Sequence, residues 1–80
     1  MPVTEAYNIL NELSVQGKLD AAVKAGIVHP THKEYYHLYN EVQRELKSRF
    51  RTVSIAVVNV SFRMTVSQRK VWRAINMMQY

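Results

Sequence analysis

Residues 67–78 constrain this chain more than any other stretch, because two independent patterns there agree on a helix. Val71, Ala74, Ile75 and Met78 recur at the i, i+3, i+4, i+7 spacing that lines up on one face of a 3.6-residue turn. Ser67 stands directly before them, where a hydroxyl can accept an amide hydrogen of the first turn. The other side of this helix is polar and basic: Gln68, Arg69, Lys70, Trp72, Arg73 and Asn76. A helix with a single apolar face must bury it against something, so the rest of the chain has to supply a packing surface. With 80 residues in all, that surface belongs to the same small domain, whose core yields only a few kcal/mol of net stability.

The upstream sequence reads as further helices. Thr4 is placed to cap a first helix running to about Gln16, with Ala6, Ile9, Leu10 and Leu13 inward and Gly17 ending it in the left-handed conformation. A short second helix over 19–25 turns Leu19, Ala22 and Val23 inward and closes at Gly26. After the His29-Pro30 turn, Thr31-His32-Lys33-Glu34 has the form of a capping box, in which Thr31 and Glu34 satisfy each other's amides. Tyr35, Leu38, Tyr39, Val42 and Leu46 follow as an apolar stripe, with Phe50 as its continuation. The run of aromatics from Tyr35 to Tyr39 could stack on bases, but its helical spacing assigns it to the core.

Residues 52–66 carry two readings. Their β-branched content favours a strand, and strict alternation would give a fairly apolar face of Ser54, Ala56, Val58, Val60, Phe62, Met64 and Val66, with Val53, Ile55 and Val57 on the other. Helical spacing fits equally, through Val53, Ala56, Val57, Val60 and Met64. The capped helix that follows favours the helical reading, and with it an all-α bundle of about five helices. The strand reading would give an α+β fold with RNA contact through a basic sheet.

Charge is distributed unevenly. Residues 1–47 hold all six acids and five of the eleven cations, whereas Arg49, Arg51, Arg63, Arg69, Lys70 and Arg73 lie beyond them with no acid among them. The whole net charge of +5 therefore belongs to the C-terminal part. A basic segment beside a near-neutral one suits a phosphate backbone, because each cation that neutralises a phosphate releases condensed counterions. A near-neutral helical support over 1–50 and a basic unit over 51–80 make up one domain.

Residues 60–75, Val60-Ser61-Phe62-Arg63-Met64-Thr65-Val66-Ser67-Gln68-Arg69-Lys70-Val71-Trp72-Arg73-Ala74-Ile75, resemble the helix-turn-helix of bacterial and phage regulators and of recombinase-type DNA-binding domains. Ser61 stands where that pattern has a small residue, Thr65 where it prefers glycine, and Ser67 where it caps the second helix. The threonine leads us to expect a turn of altered length or shape, since a β-branched residue is poorly suited to positive φ. The resemblance implies sequence-specific binding of double-stranded DNA by a transcriptional or mobile-element regulator, with Gln68, Arg69, Trp72, Arg73 and Asn76 toward base edges. Arg49, Arg51, Thr52, Arg63, Ser67 and Lys70 would then contact phosphates. Amide side chains suit adenine and guanidinium groups suit guanine. Paired half-sites make a homodimer the natural assembly.

Other chemistries find little support. No catalytic constellation or glycine-rich phosphate loop stands out, so we expect no enzyme and no cofactor. With no cysteine, and with His32 and His37 badly spaced to share a face, we expect no metal site. The absence of cysteine and of any long apolar run leads us to expect a cytoplasmic protein without membrane contact. The rival reading is a protein-interaction module whose contact patch is Trp72, Met77, Met78 and Tyr80.

Overall fold

The structure, a computed structural model, describes residues 2–49 and 52–79, with the backbone alone at Ser48 and Arg49. Five helices follow one another: α1 (Glu5–Val15), α2 (Leu19–Lys24), α3 (Pro30–Arg49), α4 (Val53–Met64) and α5 (Gln68–Met78). The all-α expectation holds. Residues 52–66 are helical apart from their capping ends, so the α+β alternative, and the RNA-binding sheet with it, is excluded. Local β propensity loses here because Ala56, Val57 and Val60 each bury completely when set on one helical face.

α3 is the axis of the bundle and packs against all four other helices, while α5 packs against α1, α3 and α4. Leu38 and Val42 of α3 meet Val57 and Val60 of α4 and Val71 and Met78 of α5 in a core from which water is excluded. The tyrosines near it are sorted by their hydroxyls. Tyr36 donates to Asn11 Oδ1 at 2.8 Å, Tyr7 to Asn40 Oδ1 at 3.0 Å, and Tyr39 to Gln79 Oε1 at 3.1 Å. Each ring packs inside while its polar end finds a partner on another element. The ring of Tyr7 lies 5.5 Å from that of Tyr36 and 5.3 Å from that of Tyr39.

Three helices end in the same motif. At α1 the Gly17 amide bonds the Ser14 carbonyl and the Lys18 amide the Leu13 carbonyl. At α2 Gly26 and Ile27 do the same to Val23 and Ala22, and at α4 Thr65 and Val66 do so to Phe62 and Ser61. This is the Schellman pattern, which satisfies otherwise orphaned carbonyls and requires positive φ at its first exit residue. Gly17 and Gly26 adopt φ of 72° and 78°. Thr65 does so without being glycine, at φ 56°.

Several local expectations are corrected. The capping box at Thr31 does not form: α3 begins at Pro30, and the Thr31 amide donates to the His29 imidazole at 3.1 Å. Proline suits the first turn because it has no amide hydrogen to satisfy. Glu34 is thereby left free to reach another helix. Ile9, expected inward, is 57% exposed, and Tyr7 takes the place beside the core instead. The second helix stops at Lys24, one residue short of the expected end. Phe50, proposed as the continuation of the α3 stripe, lies outside the described residues.

The chain ends are clipped together. The Thr4 hydroxyl accepts from the Tyr7 amide at 3.3 Å, capping α1, and donates to the Met77 carbonyl at 2.8 Å. The Thr4 amide adds a bond to the Met78 carbonyl at 3.0 Å, and Val3 forms an isolated antiparallel bridge with Gln79. The last carbonyls of α5, which have no partner within their own helix, are thus satisfied by the segment that starts α1.

Candidate nucleic-acid interface

α4, the three residues Thr65, Val66 and Ser67, and α5 form a helix, a turn and a helix, both helices seated on α3. The motif is held from within by small and apolar residues. Ser61 is buried and donates its hydroxyl to the Val58 carbonyl at 2.8 Å, so a polar residue sits at the helix contact without an unmet hydrogen bond. Val71 is fully buried, Val66 half-buried, and Met64 exposed at the edge. The expectation of an altered turn is not met. Thr65 occupies the left-handed position itself, at ψ 48°, and the turn closes with the hydrogen bonds that glycine makes elsewhere in this chain.

α5 sorts its residues as the periodicity requires. Val71, Ala74, Ile75 and Met78 are buried, and Gln68, Arg69, Trp72, Arg73 and Asn76 are all exposed. Arg69, Arg73 and Asn76, at i, i+4 and i+7, run along the centre of the outward face, about 10 Å from end to end at 1.5 Å per residue. Gln68 and Trp72 line one flank. Neither Arg69 nor Arg73 has an acidic partner among the described residues. Ser67 caps the helix by accepting from the Lys70 amide at 3.1 Å, and no acid stands in its first turn. The positive end of the helix dipole thus meets no acid from its own first turn, while Ser67 caps it.

The residues expected at phosphates are divided by the fold. Thr52 caps α4 by accepting from the Ile55 amide at 3.4 Å and is exposed, so its position resembles that of Ser67. The Arg51 residue and the Arg49 side chain lie outside the described residues. Arg63 and Lys70 are turned back onto α3. Arg63 donates to Glu41 at 2.9 Å and to Glu45 at 3.2 Å, and Lys70 lies 2.7 Å from Glu34. The hydrogen bond to Glu45, reinforced by Glu41, raises the Arg63 pKa above the ordinary arginine value. Glu34, Glu41 and Glu45 are thus three anchors on one side of α3 that hold both helices of the motif. Their spacing of seven and four along a helix was the available signal, and it becomes meaningful only when a basic helix lies opposite.

The Met and aromatic patch of the rival reading is broken up. Met78 is fully buried and Met77 half-buried, while Trp72 is 38% exposed and Tyr80 lies outside the described residues. Among the described residues no three His, Cys, Asp or Glu side chains are placed to hold a metal, and no helix is long and apolar enough to cross a membrane. The comparisons with protein families, curated proteins and solved structures found no match.

Proposed function

We propose that this protein binds double-stranded DNA through α5, as a sequence-specific regulator of transcription or of a mobile element. The observation that carries the reading is the row Arg69, Arg73 and Asn76, exposed, its two arginines without acidic partners among the described residues, on a helix capped by Ser67 with no acid in its first turn. An α-helix fits the major groove, and two guanidinium groups and an amide one helical turn apart match the donor and acceptor sets of successive base pairs. Gln68 and Trp72 flank the row and would meet bases or sugar at its edge. Ser67, Thr52 and the arginines at 49 and 51 are assigned to phosphate. Arg63 and Lys70 are assigned mainly to holding the motif on α3, because their charges are already met by carboxylates. A second copy on a paired half-site is the assembly this reading expects.

Binding of selected and random duplexes, followed by anisotropy across a salt series, tests the proposal. Wild-type protein should bind random duplex with a steep inverse salt dependence and bind selected sites more tightly. Arg69→Ala or Arg73→Ala should cost about 1–3 kcal/mol on the selected site and relax preference at one base pair. The emission of Trp72, the sole tryptophan, should change on binding. Absence of binding to any duplex at low salt would refute the reading, and equal loss on all sequences would refute the base-reading roles.

A further inference from the structure

Asn40, Gln43, Arg44 and Lys47 recur at i, i+3, i+4 and i+7, so they share one side of α3. With Tyr39 they line an open cleft of about 670 Å³, whose other wall is Val3 and Tyr7 at the start of the chain. That volume is within the ~300–1,000 Å³ of small-molecule sites. The acids of α3 are used elsewhere: Glu34 holds Lys70, and Glu41 and Glu45 hold Arg63. Among the described residues no acid lines the cleft, and Lys47 has no acidic partner. Arg44 lies 3.2 Å from Glu41, but it divides that carboxylate with Arg63, and a guanidinium has further N–H groups to donate.

The fold also decides which end of Asn40 is offered. The Tyr7 hydroxyl donates to its Oδ1 at 3.0 Å, so the end of the amide left to a ligand is the donating NH2. Both phenols lining the cleft spend their hydrogens within the chain, on Asn40 and Gln79, and contribute their rings. The cleft beside Met64 and Val66 differs, because its Lys33 and Glu34 are of opposite sign and are paired with Asp20 and Lys70.

We propose that the cleft between α3 and the start of α1 binds a small organic anion, a carboxylate or phosphate carried on an apolar or aromatic body. The anionic group meets Lys47, Arg44 and the Asn40 NH2, and the body lies against Val3 and Tyr7. Charge-assisted hydrogen bonds to carboxylate or phosphate are the strong ones, and a neutral or cationic ligand would leave both cations unmet. The apolar wall selects a small molecule over the backbone of a duplex, which brings no apolar surface to it. The site does not involve α5 and does not depend on the DNA reading.

Proton-nitrogen correlation spectra of the full chain, titrated with phenyl phosphate and separately with phenylacetate, test it. The side-chain NH2 groups of Asn40 and Gln43 and the amides of Tyr7 and Lys47 should shift together and saturate, with a Kd of about 1–10 mM for probes of this size. The tighter probe names the anionic group. Inorganic phosphate should bind several-fold more weakly than phenyl phosphate, and benzyl alcohol should not saturate. Asn40→Asp, which keeps an oxygen for the Tyr7 hydroxyl but replaces the NH2 with negative charge, should abolish the shifts. Lys47→Ala should weaken binding about tenfold, whereas Lys18→Ala, at an exposed lysine between α1 and α2, should bind as wild type. The proposal is overturned by shifts that do not saturate by about 50 mM or that centre on α5. It is equally overturned if inorganic phosphate or benzyl alcohol binds as well as phenyl phosphate, if Asn40→Asp and Lys47→Ala bind as wild type, or if Lys18→Ala loses binding.

Discussion

Arg63, at the end of α4, donates to the Glu41 carboxylate of α3 across 2.9 Å, and through its other amino group to Glu45. A residue that looks from the sequence like part of a basic nucleic-acid footprint is thereby a tie between two helices. The carboxylates are the more buried side of the pair, with side-chain exposures of 22% and 13% against 45% for the arginine. The network is therefore partly shielded from solvent and has forked geometry, yet the exposed arginine keeps its contribution modest.

Arg63→Met should lower stability to urea unfolding by about 1 kcal/mol at low salt, with the difference shrinking as salt is raised. The same substitution should leave the salt slope of DNA binding nearly unchanged. A slope reduced as much as by loss of a phosphate contact would show that Arg63 leaves its carboxylates to meet the backbone.

Thr65→Gly should raise stability by about 1 kcal/mol, because the left-handed conformation at φ 56° penalises a side chain with a Cβ and glycine adopts it freely. The gain is net of the larger entropy that glycine carries in the unfolded chain. Chemical denaturation with an unchanged m-value would register it, and a lower midpoint would mean that the threonine side chain supports the turn by contacts of its own.

Thr4→Val should cost about 1–2 kcal/mol, since one hydroxyl both caps α1 and satisfies the Met77 carbonyl. Hydrogen exchange should show the consequence at both ends of the chain, in the first turn of α1 and the last turn of α5. Loss of protection confined to α1 would deny the clip a role in holding α5.

Alkaline pH should destabilise the bundle through its tyrosines. Burial raises the pKa of Tyr7, with the neighbouring Tyr36 and Tyr39 adding to it, and burial alone raises that of Tyr39. The native state therefore holds these protons more tightly than the unfolded chain does. Their contribution is complete below the unfolded tyrosine value of about 10 and is lost as pH rises through the higher native values. Unfolding midpoints measured between about pH 8 and 11 should fall at the upper end, and Tyr7→Phe should fall less steeply than wild type. Equal slopes would remove Tyr7 as a source of the effect.

Much of the fold was legible because helical periodicity and capping are local. Ser67, Val71, Ala74, Ile75 and Met78 specify α5 with its cap and its buried face, and Gly17 and Gly26 mark the ends of the first two helices. The outward side of α5 followed from the same wheel, so all five residues expected at base edges are exposed. Only tertiary structure decided the rest. The state of 52–66 depended on Ala56, Val57 and Val60 finding a helical surface to bury against, which no propensity within the segment contains. The start of α3 was taken by Pro30 and the His29 imidazole, which leaves the Glu34 carboxylate to meet Lys70 across the bundle. The division of the cations between Arg69 and Arg73, which have no acidic partner among the described residues, and Arg63 and Lys70, which are bound, was likewise a matter of which helix lay opposite. Net charge is a property of the sequence, but the charge available to a ligand is what remains after the fold has paired the rest.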